Sequence, residues 1–208
     1  MSIKKKLKLY TRLFLISKNF RKNELYHYID GPDVAILLPI IDKKFLVVSQ
    51  KREPINKINF EFPCGWVDLG ERPEKTASRE LFEETGYKSL LAPKKLIKFY
   101  EEPGRMNSQA HCFFSNKLIK VNSPEKGIKI HFFSKTQIID LITQNKFNAA
   151  IHIAAFYKYL SLNTINGSKN PKYWNKNKKI KNHFSVGFFL TPNKKFIPDK
   201  NSYRQNNN

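Results

Sequence analysis

Gly65 to Tyr87 reads GWVDLGERPEKTASRELFEETGY. Pro73 suits the first position of a helix, where its missing N–H costs nothing, and Gly86 suits the stop. The segment therefore predicts a helix from about Pro73 to Thr85. On that helix Glu80 and Glu84 are four residues apart and share a face, and Glu83, three from Glu80, borders it. Carboxylates this close repel one another and weaken an isolated helix. A divalent cation relieves the repulsion. Oxygen ligands suit Mg²⁺, which commonly shares its coordination with substrate phosphates. By spacing alone, a solvated acidic face balanced by neighbouring Lys and Arg is the better reading.

The full pattern goes further than the spacing. Gly65, Glu71, Arg79-Glu80, Leu81, Glu83-Glu84 and Gly86 stand at the intervals of the box of the Nudix hydrolases, which this segment resembles. Tyr87 stands where that family more often has an aliphatic residue. The resemblance implies an α/β fold, a mixed β-sheet sandwiched between α-helices (α-β-α), with the box forming loop, helix and loop. It implies that Glu80 and Glu84 bind metal, that Glu83 contributes to metal binding, that Glu83 and Glu84 serve catalysis, and that the backbone carbonyl of Cys64 is a further ligand. Arg79 and Glu71 resemble the family's structural ion pair, and Gly65 and Gly86 its structural glycines. The implied cofactor is Mg²⁺, with Mn²⁺ as a substitute. The implied reaction is attack of water on a phosphorus of a nucleoside diphosphate linked to another group.

The resemblance extends over roughly Val34 to Leu162. Gln50-Lys51-Arg52 and Phe60-Glu61-Phe62-Pro63-Cys64-Gly65 look like the strand and loop of ADP-ribose pyrophosphatases, which often have Ala where this chain has Cys64. Pro103, in Glu102-Pro103-Gly104, is similar to the ADP-sugar branch. The expected reaction is then ADP-ribose to AMP and ribose 5-phosphate. Arg52 can pair with a phosphate or stack on adenine, since guanidinium does both, or be a surface charge. Glu61 can orient the ribose or a water at the metal. Pro103 and Gln109 join the substrate-binding set, Gln109 standing near the place where many relatives carry Glu. Glu125, the only acid of Ser123-Pro124-Glu125-Lys126-Gly127, is a further catalytic candidate as general base. Tyr26 and Tyr28 either pack or stack on the base from an N-terminal arm. The alternatives are another nucleotide sugar, a dinucleotide or an RNA cap as substrate, or a nucleic-acid-binding protein on the same scaffold.

Composition bounds these readings. The chain has 208 residues, 40% of them hydrophobic, enough for one domain with a substantial core. A formal net charge of +21 attracts polyanions, but its wide spread along the chain favours compositional drift toward Lys over nucleic-acid binding. Cys64 and Cys112 are isolated, and His27, His111, His131, His152 and His183 show no ligand spacing. The longest apolar run, Val34 to Ile41, falls short of a membrane span, so a cytoplasmic protein is expected. Residues 1–30 read as an irregular basic and aromatic extension, and the relatives of this branch make it a homodimerisation arm. Residues 31–162 read as the Nudix domain. Residues 163–208 read as a largely disordered Lys/Asn-rich tail able to contact nucleic acid. Within the domain, strands are expected at Val34 to Ile40, Phe45 to Gln50, Leu96 to Tyr100, Ala110 to Phe114 and Ile128 to Phe133, and a polar loop over residues 53–59. Ser134 and Gln137 form a capping box opening a helix to about Gln144. A last helix carries Ile153, Phe156, Tyr157 and Leu160 on one face.

Overall fold

The computed structural model describes residues 3–10, 12–21 and 24–167. The expected tail lies outside the described residues from residue 168 onward. The N-terminal extension is not irregular: β1 (Ile3–Tyr10), β2 (Leu13–Arg21) and β3 (Glu24–Asp30) form a three-stranded antiparallel sheet. Its signal is the alternation Lys6-Leu7-Lys8-Leu9, a strand period hidden by the charge. Hydrogen bonds from Arg12, Tyr26, Ile29 and Asp30 tie this sheet to the rest. Ile29 N–H donates to Arg105 O (2.7 Å), Asn107 Nδ2 to Asp30 Oδ1 (2.6 Å), and Arg12 Nη1 to Val67 O (2.8 Å).

The second sheet begins with the hairpin of β4 (Val34–Ile41) and β5 (Lys44–Arg52). Asp42 and Lys43 take positive φ in its turn, as a tight hairpin requires. Residues 53–59 are not a polar loop. A single 3₁₀ turn, Glu53–Ile55, and the left-handed Asn56 reverse the chain, and β6 (Lys57–Glu61) returns along β5. Next come β7 (Cys64–Trp66), α1 (Pro73–Thr85), β8 (Tyr87–Ser89), β9 (Lys94–Tyr100), β10 (Gln109–Ser115), β11 (Leu118–Lys120) and β12 (Lys129–Phe133). The chain then enters α2 (Lys135–Thr143) and α3 (Ala150–Gly167). The seven-stranded sheet runs β12-β5-β4-β10-β9, with β6 on β5 and β7 on β4. It is mixed, because β10 pairs β4 in parallel while the remaining pairs are antiparallel.

Alternation along β4 builds the layers. Val34, Ile36, Leu38 and Ile40 join Phe62, Ile138, Phe147, Ala155 and Phe156 on the α2/α3 face. Ala35 and Leu37 join Ala77, Leu81 and Phe113 on the α1 face. A strand buried on both faces reads as a continuous apolar run, which is what Val34 to Ile41 is. The helices therefore flank a mixed sheet, the expected α-β-α arrangement. The capping box at Ser134 forms as expected. The expected face of α3 forms in part: Phe156 is buried and Ile153 and Leu160 pack against the core, while Tyr157 is 46% exposed. His152 and Ala155 join that face, because the core here accepts an imidazole. No helix among the described residues is long and apolar enough to cross a membrane.

Candidate active site

The site forms where β7 meets α1. Leu37 N–H donates to Pro63 O (2.9 Å) and Val67 N–H to Asp33 O (2.8 Å), so Ala35–Gly65 is the hydrogen-bonded pair between them. Cys64, one residue off, sits at a non-hydrogen-bonded pair with Ile36, and both its N–H and C=O turn away from β4. The N–H donates to Glu84 Oε2 at 3.2 Å. The C=O therefore faces the same acidic edge. Gly65 leaves the room: a Cβ there would lie 2.0 Å from Glu80 Oε1. Glu80 and Glu84, on the one face of α1 that their spacing gives them, thus converge upon one short backbone segment.

Electrostatics sets the two carboxylates apart from an ordinary surface. Glu84 is 7% exposed. Burial first, then the charge of Glu80, pushes its carboxyl up to about 8. Burial also raises Glu80, against the pull of Arg79. Burial and Glu84 hold the Cys64 thiol well above its usual range, so it is a protonated, inert thiol.

Arg79 organises the other acids. Its Nη1 reaches Glu80 Oε1 (2.8 Å) and Glu83 Oε2 (2.9 Å), and its Nη2 reaches Glu71 Oε2 (3.3 Å). Thr76 Oγ1 donates to Glu71 at 2.7 Å, and with Arg79 it holds that carboxyl below the usual range. The loop before α1 is thereby fastened to the helix, so the expected Arg79–Glu71 pair exists and extends to Glu80 and Glu83. Gly86 closes the helix with φ 70°. Its N–H donates to Phe82 O (2.7 Å), and its O accepts from Val121 and Asn122 N–H (2.9 and 3.0 Å). Glu125 N–H donates to Glu83 O (3.2 Å), and Glu83, Glu125, Phe82 and Pro124 line one cleft. The late loop therefore lies against the box helix, and Glu125 is exposed beside Glu83.

Arg52 and Glu61 meet each other. Nε of Arg52 donates to Glu61 Oε1 (2.9 Å) and Nη2 to Oε2, while Asn59 Nδ2 donates to Oε1 (2.9 Å). Burial would raise Glu61, but Arg52 and Asn59 outweigh it and hold the carboxylate ionised. Pro103 lines a cavity of about 420 Å³ with Tyr26, Tyr28, Tyr100, Met106 and Asn107. The Tyr26 hydroxyl donates to Gly104 O. Gln109 pairs with Tyr100 across β10 and β9, and its N–H donates to Asp33 Oδ1 (2.9 Å).

Three participants were not legible in the sequence. Asn59 stood in the segment read as a loop. Asp33, which also meets His111 Nε2 at 2.8 Å, looked like a turn residue before β4. His152 is 2% exposed and reaches Phe62 N–H and Cys64 Sγ from α3. Burial pushes it down to about 4, so it is neutral. Only its place one turn before Phe156 on a buried face could have singled it out.

Comparison with known proteins agrees with this architecture. The family profile described as NUDIX domain matches residues 31–160. The chain belongs to the NUDIX domain family. It is similar to an ADP-ribose pyrophosphatase of Bacillus subtilis, 41% identical over 85 residues, covering 41% of this chain and 45% of that protein. An ADP-sugar pyrophosphatase of Mus musculus is 38% identical over 65 residues, covering 29% of this chain and 30% of the other. The chain thus matches less than half the length of these relatives. A solved structure titled as an ADP compounds hydrolase superposes with a TM-score of 0.66, covering 80% of this chain and 95% of that chain at 18% identity, a likeness of fold.

Proposed function

We propose that this chain is a divalent-metal-dependent pyrophosphatase that hydrolyses the diphosphate of a nucleoside diphosphate derivative, ADP-ribose first among them, to AMP and ribose 5-phosphate. The observation that carries the reading is the convergence of Glu80 and Glu84, both raised by burial, on the outward backbone of Cys64 and the bare Cα of Gly65. Ionising both carboxylates would place more negative charge there than their surroundings neutralise. Their oxygens, with the Cys64 carbonyl, form the hard donor set that Mg²⁺ or Mn²⁺ takes. When bound, the metal neutralises the diphosphate oxygens and acidifies a water at the site.

The chain's own residues supply the remainder. Arg79 holds Glu80 and Glu83 in place while bracing the loop through Glu71. Glu61 keeps the Arg52 guanidinium at the site, where its remaining donors are available to a phosphate or its face to a base. Glu83 and Glu125, side by side on one cleft, are positioned to accept the proton that the attacking water loses. Pro103, Tyr26 and Tyr28 offer an apolar cavity of the size and character that a base or sugar fills. The similarity to an ADP-ribose and an ADP-sugar pyrophosphatase supports the choice of substrate.

The test is a panel of diphosphate compounds (ADP-ribose, other nucleotide sugars, dinucleotides, capped RNA) with Mg²⁺. AMP release from ADP-ribose by the wild type and its loss in Glu84→Gln are expected. Turnover that persists with a chelator present, or equal turnover by Glu84→Gln, would contradict the reading.

A further inference from the structure

His152 is a buried polar group that the proposed chemistry leaves unused. Its Nδ1 accepts a hydrogen bond from Phe62 N–H at 3.3 Å. In a neutral imidazole this places the proton on Nε2, which faces Cys64 Sγ at 3.8 Å. The ligand atoms of Glu61, Cys64 and His152 lie within 4.8 Å of one another. A metal there would have to displace the Nε2 proton and compete with Arg52 and Asn59 for Glu61, so these contacts are a hydrogen-bonded linkage instead.

The linkage falls at one place in the chain. Phe62 and Pro63 join β6, which belongs to β5, to β7, which belongs to β4, and neither residue is in a strand. Pro63 O is held by Leu37 N–H, Cys64 N–H by Glu84, and Phe62 N–H by His152. Two of these anchors come from the sheet and α1. The third comes from α3, on the opposite face. Without it the buried Phe62 N–H has to find another acceptor by moving the joint, and the Cys64 carbonyl moves with it.

We infer that His152 is a positioning residue: its Nδ1 fixes the Phe62–Cys64 joint, and so aims the Cys64 backbone at the metal held by Glu80 and Glu84. The inference rests on the proposed metal-dependent reading of the site. Loss of the partner that orients a metal ligand weakens metal affinity about 10- to 100-fold.

The test is direct Mn²⁺ binding, by calorimetry and by the electron spin resonance of free Mn²⁺, on the full chain. His152→Leu, which offers no acceptor, is expected to bind about ten-fold more weakly or worse. His152→Asn places an amide oxygen near the Nδ1 position and is expected to bind within about three-fold of wild type. Phe156→Leu loosens the same helix but leaves the acceptor of Phe62 N–H in place, and should lower the melting temperature at unchanged affinity. Equal weakening by His152→Leu and Phe156→Leu, or none by His152→Leu, overturns the inference. If His152→Leu does not fold, the ring ¹⁵N shifts of the wild type decide. A proton on Nε2 supports the role, and one on Nδ1 overturns it. Wild type that binds no better than Glu84→Gln would sink the metal reading itself and this inference with it, whereas failure of the His152 series alone leaves that reading standing.

Discussion

At the residue scale, the site is a balance between carboxylates that repel and a cation that joins them. Burial, then the charge of Glu80, pushes the Glu84 carboxyl of the folded chain up to about 8 from the ordinary 4.5. A raised carboxyl contributes stability that is complete below 4.5 and is lost as pH climbs through about 8. Metal-free wild type should therefore melt lower at roughly pH 8 than at pH 5, and Glu84→Gln, which cannot ionise, should lose much less. Melting curves with a chelator at both values check this, and Mg²⁺ added at the higher pH should restore the wild type only. The same substitution should lower kcat by about 100-fold or more. Gly65→Ala places a methyl 2.0 Å from Glu80 Oε1. It should destabilise by about 1–3 kcal/mol in urea titration and weaken metal binding, since Glu80 must move away.

Elements carry the next level of control. Helix α1 ends at Gly86, whose φ of 70° suits glycine and whose Cβ position lies 2.0 Å from Asn122 O. The helix stop and the late loop are therefore one unit. Gly86→Ala should cost about 1–3 kcal/mol and free the Asn122–Gly127 loop from α1. Limited proteolysis should show new cleavage in that loop. If Glu125 accepts the proton, Glu125→Gln should depress kcat by about 10²–10⁴-fold with little change in KM. Near-wild-type turnover would leave Glu83 as the acceptor. Steady-state kinetics separates the two.

The whole molecule places its stability unevenly. β4 is buried over nearly its full length, between two helical layers, whereas Lys5 to Leu9 of β1 are exposed. Amides of β4 should exchange hydrogen only on global unfolding, and those of β1 orders of magnitude sooner. Exchange read by mass spectrometry with peptides from each strand checks this. The exposure of β1, the outer strand of the N-terminal sheet, predicts that this sheet separates first.

The amino-acid sequence alone determined what depends on near neighbours. A helix from Pro73 to Thr85, carboxylates on one face, a capping box at Ser134 and a strand at Val34 to Ile40 all follow from spacing within a dozen residues. Tertiary structure alone decided what depends on pairing across the chain. Arg52 chose Glu61, Cys64 turned its backbone outward because of its register on β4, and His152 came from 90 residues away to hold Phe62. It also decided that the lysine-laden N-terminus is a sheet, since its charges mask the alternation until a partner strand supplies the hydrogen bonds. Local periodicity is written in the order of residues, but register and burial are set by which surfaces meet, and no stretch of sequence contains both sides of that contact.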